Sequence, residues 1–157
     1  MSHQDRGRLR TDRSYPLGEG LQEAWDALAS VDDYRRWWPW LRRFDAARLA
    51  PGERWEARIL VPMPWSLRFS LDLHDVEAPV RVAATITGDI EGEATVTLEP
   101  VGDGAEIRLR SDLAPRHRLL RGVNRFVPVV SRRLHDHVVD RAFRQFAERS
   151  GSDPADR

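Results

Sequence analysis

Residues 92–113 read GEATVTLEPVGDGAEIRLRSDL, and their alternation decides the architecture. Ala94, Val96 and Leu98 fall on one side of an extended chain, with Glu93, Thr95, Thr97 and Glu99 on the other. After Gly102-Asp103-Gly104 the alternation resumes with Ala105, Ile107, Leu109, Ser111 and Leu113. A period of two on both sides of a Gly-Asp-Gly step is the signature of two antiparallel strands joined by a tight turn. One charged side and one apolar side predict a sheet that is wet on one face and covered on the other.

The same pattern extends upstream. Trp55, Ala57, Ile59 and Val61 alternate with charged residues, as do Trp65, Leu67, Phe69, Leu71 and Leu73, and then Val80, Val82, Ala84 and Ile86. Pro62-Met63-Pro64, Glu77-Ala78-Pro79 and Gly88-Asp89 separate these runs as turns or kinks. Residues 8–15 read as a first strand, broken by Pro16 and the Gly18/Gly20 pair. Leu21, Ala24, Trp25 and Leu28 then recur at the spacing of a short helix, and a second runs from Asp33 towards Trp38, where Pro39 ends it. Downstream, residues 116–125 form a basic amphipathic segment. Val127, Val130, Leu134, Val138, Ala142 and Phe146 mark a long C-terminal helix. Counted from Pro128 it would be about 33 Å long, enough to cross a sheet.

Composition narrows the function. The chain has 157 residues, within the size of one domain, here expected over 8–149 with polar, flexible tails at 1–7 and 150–157. Twenty-five basic and 25 acidic residues give zero net charge, which argues against a nucleic-acid partner. All 25 basic residues are Arg, which removes Schiff-base lysine chemistry. The absence of Cys removes disulfides, thiolate metal sites and Cys nucleophiles. No apolar run is long enough to span a bilayer and the first 13 residues lack an apolar core, so the expected location is cytoplasmic. The Arg residues from Arg116 to Arg133, interleaved with Leu119, Leu120, Val123 and Phe126, could touch a membrane surface, but an ordinary charged helix face is the preferred reading.

The stretches Ala24-Trp25-Asp26-Ala27-Leu28, Val31-Asp32-Asp33-Tyr34 and Trp37-Trp38-Pro39-Trp40 resemble the opening of the START-like (SRPBCC) superfamily, in its polyketide cyclase/dehydrase branch. Gly88-Asp89-Ile90-Glu91-Gly92 and Leu134-His135-Asp136 followed by Val138-Val139 resemble later features of that branch. The resemblance implies an α+β helix-grip fold: a curved antiparallel sheet of six to seven strands wrapped around a long C-terminal helix, with two short helices after the first strand. It also implies an apolar cavity between sheet and helix, whose ligands in the family are lipids, sterols, polyketides and hormones, and only some members are enzymes.

The candidate ligand-binding residues are Trp37, Trp38, Trp55, Trp65, Phe69, Ile86, Val96, Ser111, Leu134, Val138 and Ala142. Each is an inward strand position, a helix-stripe position or part of the six-Trp cluster between Trp25 and Trp65. Ala57, Ala84, Ala94 and Ala142 are small inward residues that leave room. His135 is a candidate for a general base, a satisfied structural His being the plainer reading. Asp89 is a candidate beside Glu91, but turn chemistry accounts for it. His135-Asp136-His137 lacks a third ligand at recognisable spacing, so no metal and no cofactor are expected. The expected function is transport or sensing of an apolar, lipid- or polyketide-like small molecule. The alternatives are a cyclase or dehydratase using the same cavity, and a protein-interaction module.

Overall fold

The computed structural model describes residues 8–60, 66–116, 144 and 146. The long β6 (Ile90–Val101) and β7 (Gly104–Pro115) pair from Ile90↔Pro115 to Val101↔Gly104, closed by the two-residue turn Gly102-Asp103 with Gly102 at φ 57°. Outward from this pair lie β5 (Arg81–Gly88), β4 (Ser66–Glu77), β3 (Arg54–Leu60) and β2 (Leu41–Asp45). On the other side β7 pairs with β1 (Leu9–Leu17), so the sheet order is β1-β7-β6-β5-β4-β3-β2, antiparallel throughout. This seven-stranded curved half-barrel fits the helix-grip expectation. Where the long C-terminal helix is expected, only Arg144 and Phe146 are described, and both are helical; the other residues of that expectation, the basic segment beyond Arg116 and the expected strand start at Trp65 lie outside the described residues. Among the described residues, no helix is long and apolar enough to cross a membrane.

Three local expectations need correction. The first strand does not stop before Pro16 but continues through it to Leu17, with Pro16 opposite Glu106. Strand β1 lies at the sheet edge and bonds one neighbour, so a residue without an N–H is tolerated there. Strand β2 is an additional strand: with Arg42, Arg43 and Asp45 among five residues it lacks an apolar alternation, and such charged, short strands suit an edge. Strand β4 runs on past Leu73 to Glu77, because a bulge at His74 restores Val76 to the covered face.

The helices follow from local chemistry. In α1 (Leu21–Ala29) the Gly20 N–H donates to Glu23 Oε2 at 2.8 Å, meeting one of the unpaired groups of the first turn. Ala24 and Trp25 bury the apolar stripe against the sheet. The chain then takes one 3-10 turn (Val31–Asp33) before the single-turn α2 (Tyr34–Trp37), capped by Asp33 and Trp38, the expected limits of the second helix.

The outer face of the sheet is a mesh of guanidinium–carboxylate pairs. Arg108 grips Asp12 with two bonds of 2.7 Å, and Arg8 holds Asp112 at 2.7 Å. Those guanidinium hydrogen bonds hold both carboxyls below the usual range. Ser70, outward by alternation, is nonetheless only 8% exposed, because Arg54 and Glu56 bond its hydroxyl and cover it.

Candidate functional site

On the covered face the strand register lines residues up in rows. One row runs Leu73, Ala84, Ala94, Ser111, Thr11 from β4 to β1. It is flanked by Trp55, Leu71 and Ile86 on one side and by Val76, Val82, Val96 and Leu109 on the other. In the middle of the face, therefore, two methyl groups stand between larger side chains.

Above those methyls lies an aromatic layer. Tyr34 is its centre, 4% exposed, with ring centroids 4.9 Å from Trp38, 5.3 Å from Phe44 and 6.0 Å from Trp55. Trp37 packs edge-on against Phe146 at 5.8 Å. The polar ends of two of these rings are engaged away from the sheet: the Tyr34 hydroxyl donates to the Leu28 carbonyl, and Trp55 Nε1–H donates to the Arg48 carbonyl at 3.0 Å. Burial holds the Tyr34 hydroxyl neutral by raising its pKa above the usual phenol value.

The space between the layers is a cavity of about 180 Å³. It sits where two core clusters meet: Leu28, Ile107 and Phe146 belong to one, Tyr34, Trp55, Leu73 and Ala84 to the other, and Trp38, Leu49 and Val82 touch both. Leu71, Ala94 and Val96 complete its described wall. That wall has no carboxylate, imidazole or guanidinium among its described residues.

Of the sequence candidates, Trp38, Trp55 and Val96 lie in this wall. Ser111 lies beside Ala94 across the β6–β7 pairing, one strand from it. Trp37 stands behind the wall, against Phe146 and Tyr34. Phe69 and Ile86 sit nearer the end of the sheet where Gly88 and Gly92 are their strand partners. Trp65, Leu134, His135, Val138 and Ala142 lie outside the described residues. The small residues Ala84 and Ala94 are both in the wall, while Ala57 is packed in the second core cluster.

Asp89 has a structural task. Its Oδ2 accepts from the Arg68 N–H at 2.9 Å, its own N–H donates to the Arg68 carbonyl at 2.9 Å, and its carbonyl accepts from the Arg116 N–H at 2.8 Å. It ties β4 to the end of β7, while Glu91 pairs with Arg116 at 3.5 Å. Among the described residues, no group of three His, Asp or Glu side chains is placed to hold a metal ion. His74 is exposed and pairs with Glu93 at 3.1 Å.

Two wall residues carry little sequence signal. Tyr34 sits in a four-residue helix too short to show a stripe. Leu49 lies in the loop between β2 and β3, where no periodicity exists to mark it as inward.

Residues 21–151 match the family model described as polyketide cyclase / dehydrase and lipid transport. No curated protein matches the chain in sequence. Among solved structures, TTHA0849 from Thermus thermophilus superposes with a TM-score of 0.72 at 15% identity, covering 91% of this chain and 96% of that one. Ara h 8.0201 gives 0.67 at 10% identity, covering 94% and 100%. Truncated norcoclaurine synthase from Thalictrum flavum gives 0.66 at 7% identity, covering 93% and 95%. At these identities the likeness is one of fold.

Proposed function

The chain belongs to the polyketide cyclase / dehydrase and lipid transport family, of START-like (SRPBCC) type, and from that premise we propose that it binds an apolar small molecule in the cavity beneath Tyr34, as a carrier or sensor. The observation that carries this reading is the chemistry of the wall. Its described residues are aliphatic or aromatic, and the hydrogen-bonding ends of Tyr34 and Trp55 are already engaged by backbone carbonyls. Affinity then comes from removing apolar ligand surface from water, at roughly 25 cal/mol per Å². A polar or charged guest would lose its hydration and find little in exchange.

The cyclase or dehydratase reading needs a convergent acid or base facing the guest. Tyr34 is the described wall's one titratable group, and its hydroxyl already serves Leu28. Asp89 is committed to Arg68 and Arg116. The interaction-module reading calls for a collapsed cavity and an exposed Trp patch, whereas Trp37, Trp38 and Trp40 are half-buried and packed on one another or on Tyr34. Neither alternative is favoured by these observations.

Native mass spectrometry of the purified protein, followed by extraction and identification of any bound molecule, tests the proposal. An apolar adduct released on denaturation is expected. A protein that arrives empty and also takes up no toluene would contradict it.

A further inference from the structure

The mesh of ion pairs on the outer sheet face has a gap at one corner. Strand register sets Arg43 opposite Arg58 and Arg58 opposite Arg68, so three arginines stand side by side across β2, β3 and β4. Neighbouring strands lie about 4.8 Å apart, which makes the row about 10 Å long. Arg42 is the extra residue where the β2–β3 register shifts, and adds a fourth arginine at the edge. All four are exposed. Like charges directly opposite one another destabilise a sheet. Elsewhere on this face arginines are set against carboxylates: Arg54 against Asp72, Arg81 against Asp75, Arg108 against Asp12. Among the described residues only Arg43 of the row has such a partner, Asp45 at 3.1 Å. Arg58 Nε–H donates to the Ser66 hydroxyl at 2.7 Å, and Arg42 and Arg68 form no ion pair with a described residue. The neighbouring carboxylates are engaged elsewhere: Glu56 bonds Arg54 and Ser70, and Asp89 accepts from the Arg68 backbone N–H.

An apolar side chain adjoins the row. Leu60 lies two residues beyond Arg58 on β3 and so shares its face, and it is 45% exposed. Its N–H donates to the Trp40 carbonyl at 2.8 Å, and the Trp40 ring stacks at 5.9 Å on Trp38, a wall residue of the cavity. Through these two tryptophans the corner is continuous with the cavity wall.

We propose that this corner docks on an anionic lipid surface, the arginine row meeting headgroup phosphates and Leu60 entering between them. Screening at physiological salt confines the attraction to about 8 Å, so the zero net charge of the whole chain does not cancel a local row. Leu60 favours a lipid surface over a nucleic acid, which would use the arginines and leave the apolar side chain in water. The docking does not depend on what the cavity holds.

Co-sedimentation of the whole chain with vesicles tests it, using phosphatidylcholine alone and phosphatidylcholine with about 30% phosphatidylglycerol. Binding is expected to the anionic vesicles only, and to be lost as salt rises from about 0.05 to about 0.5 M. An arginine near such a surface is worth about fivefold in affinity, so Arg58→Gln/Arg68→Gln is expected to weaken binding at least tenfold. Leu60→Ser is expected to weaken it about threefold or more. Arg48→Gln/Arg81→Gln removes the same charge from ion-paired arginines outside the row, and is expected to weaken it less than about threefold. The row variant is expected to unfold at the same temperature as the wild type or higher, since it removes facing like charges. Its toluene uptake is expected to match the wild type, so failure of the docking and failure of the cavity reading are told apart. No binding to anionic vesicles at low salt would overturn the proposal. Equal weakening in the two double variants would overturn it too, by reducing the effect to total charge. Row-dependent binding to poly-glutamate without binding to vesicles would assign the corner to an acidic protein partner instead.

Discussion

Tyr34 connects the aromatic layer to the backbone. Its ring touches Trp37, Trp38, Phe44 and Trp55, and its hydroxyl bonds the Leu28 carbonyl near the end of α1. Tyr34→Phe keeps the ring and leaves that carbonyl unmet. A loss of about 1–3 kcal/mol in unfolding free energy is therefore expected, read by urea denaturation, with toluene binding retained because the ring face towards the cavity is unchanged. A loss below about 0.5 kcal/mol would mean that water replaces the hydroxyl and that the bond does not hold the layer. At this scale the sequence was partly legible. Trp38 and Trp55 announce themselves by type, and Ala84 and Ala94 by being the small members of inward series. Leu49 does not, because a loop residue has no periodic neighbours to fix its direction.

At the scale of elements, β5 and β6 part company at their joining end. Gly88 stays paired with Phe69 on β4 and Ile90 with Pro115 on β7, while the β5–β6 ladder ends at Ile86↔Gly92. Gly92 takes φ 148°, and a Cβ there would collide with the Asp112 carbonyl oxygen. Gly92→Ala is expected to lower the unfolding free energy by at least about 1–3 kcal/mol, the range for a non-glycine residue in this backbone region. Gly102→Ala serves as the comparison, since a Cβ there meets nothing within 4 Å. Equal losses in the two variants would show that β6 can shift away from β7 and that the close approach at Gly92 is not required. The alternation in residues 54–60, 81–88 and 92–113 made the central strands legible, although β5 buries Ala83 on the outer face as well as Ala84 on the covered one. The edges were harder. Strand β2 carries three charges in five residues, and β1 contains a proline, because edge strands answer to one neighbour and to solvent rather than to a core.

The whole molecule is a layered arrangement: a charged outer sheet face, an apolar inner face, and an aromatic layer from α2, β2 and β3 with Phe146 closing over it. Which side of the sheet is covered follows from alternation alone. That the covering layer stops short of filling the space does not, because a cavity is a shortfall of volume summed over many side chains from distant parts of the chain. The central claim is that this space holds a guest rather than being slack in the core. Filling it separates the two. Ala94→Leu adds three carbon atoms where the wall is lowest, and its toluene titration by calorimetry beside the wild type is the decisive measurement. The account predicts heat of binding in the wild type and its loss, by at least tenfold in affinity, in a variant whose thermal midpoint is unchanged or higher. Undiminished toluene binding by a folded Ala94→Leu protein would place the guest elsewhere and contradict the account.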